Sequence, residues 1–165
     1  MPNYDEIVAR MKAEGEDCFP FIKVRISWPD GGGESVWAHD LGHGLALMSN
    51  EPLYPKYRFH DIFRFSGRNP GDVAYRPFPV KMLYRYEPLN GDVDKLRRGL
   101  LHDSLGGLRV RPGFFCMGQG YVLLREGAEP SEVKAALVGT GVPVSEVVVQ
   151  EFDVKTDKYT YLDVP

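Results

Sequence analysis

Three patterns in the sequence predict an α+β chain. Apolar and polar residues alternate over 21–28 and 80–87, the period of a strand with one face buried. Apolar residues recur at three- and four-residue spacing over 4–11, 93–101 and 133–137, the period of an amphipathic helix. The order of these patterns differs between the halves. The first half is expected to be an N-terminal helix and an antiparallel β meander or small barrel (1–67). After a connector (68–79), the second half is expected to be a ferredoxin-like βαββαβ arrangement (80–165), and the two halves are free to share one core.

Asn3 is placed to cap a first helix whose stripe is Tyr4, Ile7, Val8 and Met11, with Gly15 ending it. Ile22, Val24, Ile26 and Trp28 share one face of the next strand, and Lys23, Arg25 and Ser27 the other. Pro29-Asp30-Gly31-Gly32-Gly33 is a turn or loop. Apolar-rich runs over 35–40 and 45–49 flank Leu41-Gly42-His43-Gly44, a hairpin signal. The turn centres on Gly42-His43 or on His43-Gly44, and the two choices bury opposite side-chain sets. Pro52 and Pro55 mark 50–56 as a loop or strand edge, after which Phe59, Phe63 and Phe65 share one strand face.

Residues 66–79 are rich in Gly and Pro and read as the connector. Beyond it, Val80, Met82, Tyr84 and Tyr86 oppose Lys81, Leu83, Arg85 and Glu87. Asn90 or Asp92 starts a helix with the apolar stripe Val93, Leu96, Leu100 and Leu101, stopped by Gly106-Gly107. Residues 113–117 and 121–125 flank Gly118-Gln119-Gly120, a second hairpin signal. Pro130 suits the first position of a helix buried through Val133, Ala136 and Leu137. A β-branched strand over 145–152 follows, and 159–164 adds an edge strand.

Trp37, Ala38, Leu41, Gly42, Gly44, Asn50 and Pro52 spell W-A-x-x-L-G-x-G followed by N-x-P. With the later Asp61-Ile62-Phe63, this segment resembles the start of the bacterial "domain of unknown function 4265" family, whose pattern has Gly where this chain has His60. The resemblance implies a compact α+β domain and brings no activity.

Hydrophobic content of 43% and charged content of 26% over 165 residues describe an ordinary globule. Cys18 and Cys116 lack C-x-x-C spacing, which argues against a zinc ribbon or disulfide scaffold and suits a reducing cytoplasm. The acidic start has no signal-peptide pattern, and no apolar run approaches the ~20 residues of a membrane span. A cytoplasmic protein without membrane contact is therefore expected.

Net charge is −5 over 1–55, +6 over 56–111 and −4 over 112–165. A basic middle is either an anion-binding face or the complement of its acidic flanks. Its basic residues interleave with aromatics such as Tyr54, Tyr57 and Tyr84, a pairing that stacks on bases and holds phosphates. The histidines raise a metal site, but neighbours on a strand point to opposite faces, so neither His39-Asp40 nor His60-Asp61 chelates as a pair. No G-x-S-x-G elbow or phosphate-binding loop occurs, Cys116 sits in an apolar run, and each Gly-x-Gly lacks the third glycine of a dinucleotide fingerprint.

No catalytic set is recognisable. The reading is a non-catalytic binding or regulatory domain with another protein as partner and no cofactor, its surface expected around Trp37, Tyr54, Tyr57, Arg58 and Arg64. RNA or single-stranded nucleic-acid binding through the basic-aromatic middle is one alternative, and a metal-dependent hydrolase using His39 and His60 is another.

Overall fold

The computed structural model describes residues 2–153, 155, 156 and 158–165. Among these the chain is α+β, with an antiparallel five-stranded sheet in each of two units, one ending at Pro77 and the other beginning at Phe78. No helix among the described residues is long and apolar enough to cross a membrane.

The N-terminal unit opens with α1 (Tyr4–Glu14). The Asn3 side chain accepts the Asp5 N–H at 2.9 Å, Asp5 and Glu6 occupy the first turn, and Gly15 returns its N–H to the Met11 carbonyl. Ile7 and Met11 bury against Phe19, Leu45, Leu47 and Ile62. Strands β1 (Phe21–Ser27), β2 (Gly33–Gly42), β3 (Leu45–Met48), β4 (Ile62–Ser66) and β5 (Asn69–Tyr75) then form a meander in chain order. Val24 and Ile26 of β1 are buried between exposed Lys23 and Arg25, whereas all of β3, the middle strand, is buried. The meander curls, and the Arg25 N–H donates to the Arg68 carbonyl at 2.7 Å.

The β2–β3 hairpin turns on His43-Gly44, at φ +56° and +73°, as a two-residue type I′ turn demands. A bulge between Asp40 and Gly42 then shifts the pairing by one residue, so that Ala38 lies opposite Met48 and His39 opposite Leu47. The expected connector over 68–79 is instead largely β5. Register shifts along β4 let β5 carry Pro70 and Gly71, which a regular central ladder would not accommodate.

The C-terminal unit contains β6 (Lys81–Tyr86), α2 (Asp92–Ser104), β7 (Phe114–Cys116), β8 (Gln119–Leu123), α3 (Pro130–Val138), β9 (Val144–Asp153) and β10 (Lys158–Asp163), in the sheet order β10-β9-β6-β8-β7. Met82, Tyr84, Val122 and Val147 from the sheet meet Leu101, Leu105, Val133 and Leu137 from the helical side in one core. Pro130 and a capping box between Glu129 and Glu132 start α3. The Tyr84 ring lies across Gly120, where an added Cβ would come within 2.4 Å of it. The β7–β8 hairpin turns on Met117-Gly118, at φ +48° and +80°, one residue earlier than the expected Gly118-Gln119-Gly120.

Helix α2 departs from expectation twice. Its cap position is Gly91, without a side-chain hydrogen bond, and neither Asn90 nor Asp92 caps it. The apolar stripe also splits: Leu101 is buried, while Val93, Leu96 and Leu100 are exposed. Each residue advances ~100° around a helix, so Leu100 and Leu101 belong to different faces. The sheet takes the second face and leaves the first uncovered.

Candidate functional site

The surface expected in the N-terminal unit proves to be largely interior. Trp37 is 46% exposed, flanked by Phe21 and by the Lys23 ammonium 5.0 Å from its ring, and Arg64 is exposed on β4. Tyr54, Tyr57 and Arg58 are buried, which corrects their assignment to a binding surface. They belong to the loop between β3 and β4, which folds inward because carboxylates satisfy its backbone. Glu34 accepts the N–H groups of Leu53 and Tyr54, Glu51 accepts that of Phe59, and Asp61 accepts that of Arg58.

Asp61 is fully buried and takes three hydrogen bonds from Arg76, Nη2 to Oδ2 at 2.8 Å and Nε to Oδ1 at 3.1 Å and to Oδ2 at 3.3 Å. Arg58 donates Nη1 to the Pro55 and Tyr57 carbonyls, and burial pulls its guanidinium down to about 10 against the pull of Glu51. The Tyr57 hydroxyl donates to the Gly71 carbonyl at 2.9 Å and is pushed up to about 12, first by burial and then by Asp72 and Asp61. These bonds tie the loop to Gly71 on β5 and to Arg76 just beyond it.

The histidines stay apart in role. His39 is buried against Phe21, ring centroids 4.3 Å apart, with Nδ1 3.4 Å from the Phe19 carbonyl. His60 stacks on Phe59 at 3.8 Å and meets the Tyr4 hydroxyl at 3.2 Å through Nδ1. His43 occupies the exposed hairpin turn. Among the described residues, no three His, Cys, Asp or Glu side chains gather as a metal site.

The C-terminal unit offers more. On the sheet face turned from the helices, Leu83, Tyr121 and Val148 cluster, with the Lys81 Nζ 4.2 Å over the Tyr121 ring. A shallow groove of about 170 Å³ on this face is lined by Leu83, Arg85, Gln119, Glu146, Val148 and Tyr161. Arg85 pairs with Glu146 at 3.2 Å, so the groove carries both signs of charge. Tyr159 and Tyr161 stand edge to face 5.5 Å apart on β10, whose residues are all exposed. On the helical side, Val93, Leu96 and Leu100 line one exposed face of α2, Leu96 at 73%, next to Gly99. A Cβ at Gly99 would have nothing within 4 Å. The sequence marked the first only as an edge strand over 159–164 and the second by helical spacing, and neither reading says which face is covered.

No family model matches the chain, and no curated protein matches it. A solved structure of a hypothetical protein from Neisseria gonorrhoeae is similar over 88% of this chain and 93% of its own, at 10% sequence identity and a TM-score of 0.49.

Proposed function

We propose that this chain is a non-catalytic protein-interaction module whose docking face is α2. The observation that carries the proposal is the exposed stripe Val93, Leu96 and Leu100. Its i, i+3, i+7 spacing is the pattern an apolar groove or a second amphipathic helix reads. Gly99 supports the same reading. A glycine inside a helix costs roughly 0.5–1 kcal/mol relative to alanine, and no described residue uses the space it leaves. A partner's backbone approaching beside Leu96 and Leu100 would use it.

The proposal carries finer readings with it. The order β9-β6-β8-β7, with α2 and α3 as crossovers, supports a ferredoxin-like C-terminal unit with β10 appended. The residues around Trp37 support kinship with the bacterial "domain of unknown function 4265" family. The free thiols of Cys18 and Cys116 support a reducing, cytoplasmic setting.

A photo-crosslinking side chain placed at position 96, in cells that express the protein naturally, tests the docking face. Capture of one defined protein is expected, lost in the Val93→Glu, Leu100→Glu double variant with its circular dichroism unchanged. Equal capture from position 12 on α1, or capture that survives the double variant, sinks the reading.

A further inference from the structure

We propose that the outward face of β1 and β2 is a stacking site for one base of a single-stranded nucleic acid. The strand register builds it. Phe21 opposes His39, Lys23 opposes Trp37, Arg25 opposes Ser35 and Ser27 opposes Gly33. Residues that oppose one another share a face, so these eight stand on one side of the two strands. Within the set His39 is buried, while Phe21 and Trp37 remain 47% and 46% exposed. Their rings meet edge to face, with centroids 6.0 Å apart and planes at 82°, and the Lys23 Nζ lies 5.0 Å from the Trp37 ring. A π surface beside a cation is what a base and its phosphate read together.

Charge selects the occupant. Lys23 and Arg25 are the charged members of the set, and none of the eight is a carboxylate. Residues 1–55 carry −5 in all, so the face inverts the sign of its surroundings. The carboxylates of β2 belong elsewhere. Glu34 opposes the buried Ile26 and accepts the Trp28 indole and the Leu53 and Tyr54 N–H groups, and Asp40 accepts the Gly42 N–H. Asp30, past the end of β1, accepts the Gly32 N–H, and Glu16 and Asp17 lie in the turn before it. The Arg25 N–H, donated to the Arg68 carbonyl, brings the backbone of a further exposed arginine alongside. An acidic peptide would meet the cations and leave both rings bare.

Geometry narrows the strand. Successive bases in a continuous stack are parallel, whereas these rings are nearly perpendicular, so both cannot join one stack. A base laid on one ring meets the other edge-on. Such a base must leave its own stack, which costs least in an unpaired strand and most in a duplex. Tyr54, Tyr57 and Tyr84, aromatics of the basic middle, are buried and present no ring to a base.

Titration of the full chain with a fluorescein-labelled oligouridylate at low salt tests this, anisotropy reading binding and indole emission with the unlabelled strand reading stacking. Micromolar binding with quenched emission is expected, and Trp37→Ala should raise the dissociation constant about tenfold. Trp37→Phe keeps a ring, so it should bind nearly as well as the original chain yet lose the quench, since the Trp28 indole is tied to Glu34. Lys23→Gln should flatten the slope of log K against log salt by about 0.7. Circular dichroism should be unchanged in each variant, and the last two carry the test if Trp37→Ala does not fold. No binding at low salt, equal affinity for an RNA duplex, displacement of the strand by polyphosphate or polyglutamate with the potency of unlabelled oligouridylate, or a quench that survives Trp37→Phe would overturn the proposal. None of these readouts involves position 96, so this site and the docking face of α2 fail separately.

Discussion

In the N-terminal unit the outer strands of the sheet meet, Arg25 donating to the Arg68 carbonyl, whereas in the C-terminal unit β10 pairs with β9 on one side and, among the described residues, with no strand on the other. The same contrast holds for side chains. The first unit draws Asp61, Arg58 and Tyr57 inside and ties each into a hydrogen-bond network. The second leaves Leu96, Leu100, Tyr159 and Tyr161 outside, although their bulk would suit an interior. Polar groups indoors and apolar groups outdoors are both informative departures from ordinary burial. The first stiffens a loop, and the second is where a macromolecular partner gains from docking.

The contrast is open to test, beginning with the largest effect. Asp61→Ala strips the carboxylate from Arg76 and from the Arg58 N–H, and should cost about 3 kcal/mol in urea unfolding, since a cation is left facing a buried void. A loss under 1 kcal/mol would show the network to be ornamental. Leu101→Ala should cost about 3 kcal/mol by opening a cavity in the C-terminal core. Tyr57→Phe should cost about 1 kcal/mol through the hydrogen bond to Gly71. Tyr57 also gives the first unit an alkaline limit, because burial raises it from 10 to about 12, as it does Tyr4. Stability is at its full value below pH 10 and falls as pH climbs through 12, since the unfolded chain releases those protons first. Phenolate absorbance rising together with loss of circular dichroism in that window is expected, and full titration of every tyrosine near pH 10 in the folded state would contradict it.

Gly99→Ala should stabilise by roughly 0.5–1 kcal/mol, because the added methyl meets nothing and the helix gains propensity. Leu96→Ala should be nearly silent, within about 0.5 kcal/mol, as befits an exposed position. A Leu96→Ala loss comparable to that of Leu101→Ala would place both residues in one core and erase the contrast between the units.

Much of the scaffold was legible beforehand because periodicity and turn chemistry are local. The alternation of β1, the Asn3 cap of α1 and Pro130 at the start of α3 all lie where their neighbours in sequence put them. What escaped depends on residues far apart. The loop holding Tyr54, Tyr57 and Arg58 turns inward because Glu34, on another strand, and Arg76, past β5, reach it. β5 hid behind its prolines and glycines, since a bulged edge strand and a connector share that composition. The stripe of α2 was visible, but spacing alone cannot say whether Leu100 or Leu101 finds the sheet. That choice is made by the core, where Leu101 meets Val133 and Leu137.

Trp28, whose indole N–H donates to Glu34, and Trp37, beneath Lys23, are the only tryptophans, and both lie in the N-terminal unit. Indole fluorescence therefore reports on that unit, while melting of the other would pass unnoticed in emission and show in far-ultraviolet ellipticity. Disagreement between the two signals during a thermal ramp would reveal the units melting one after the other, without any label being introduced.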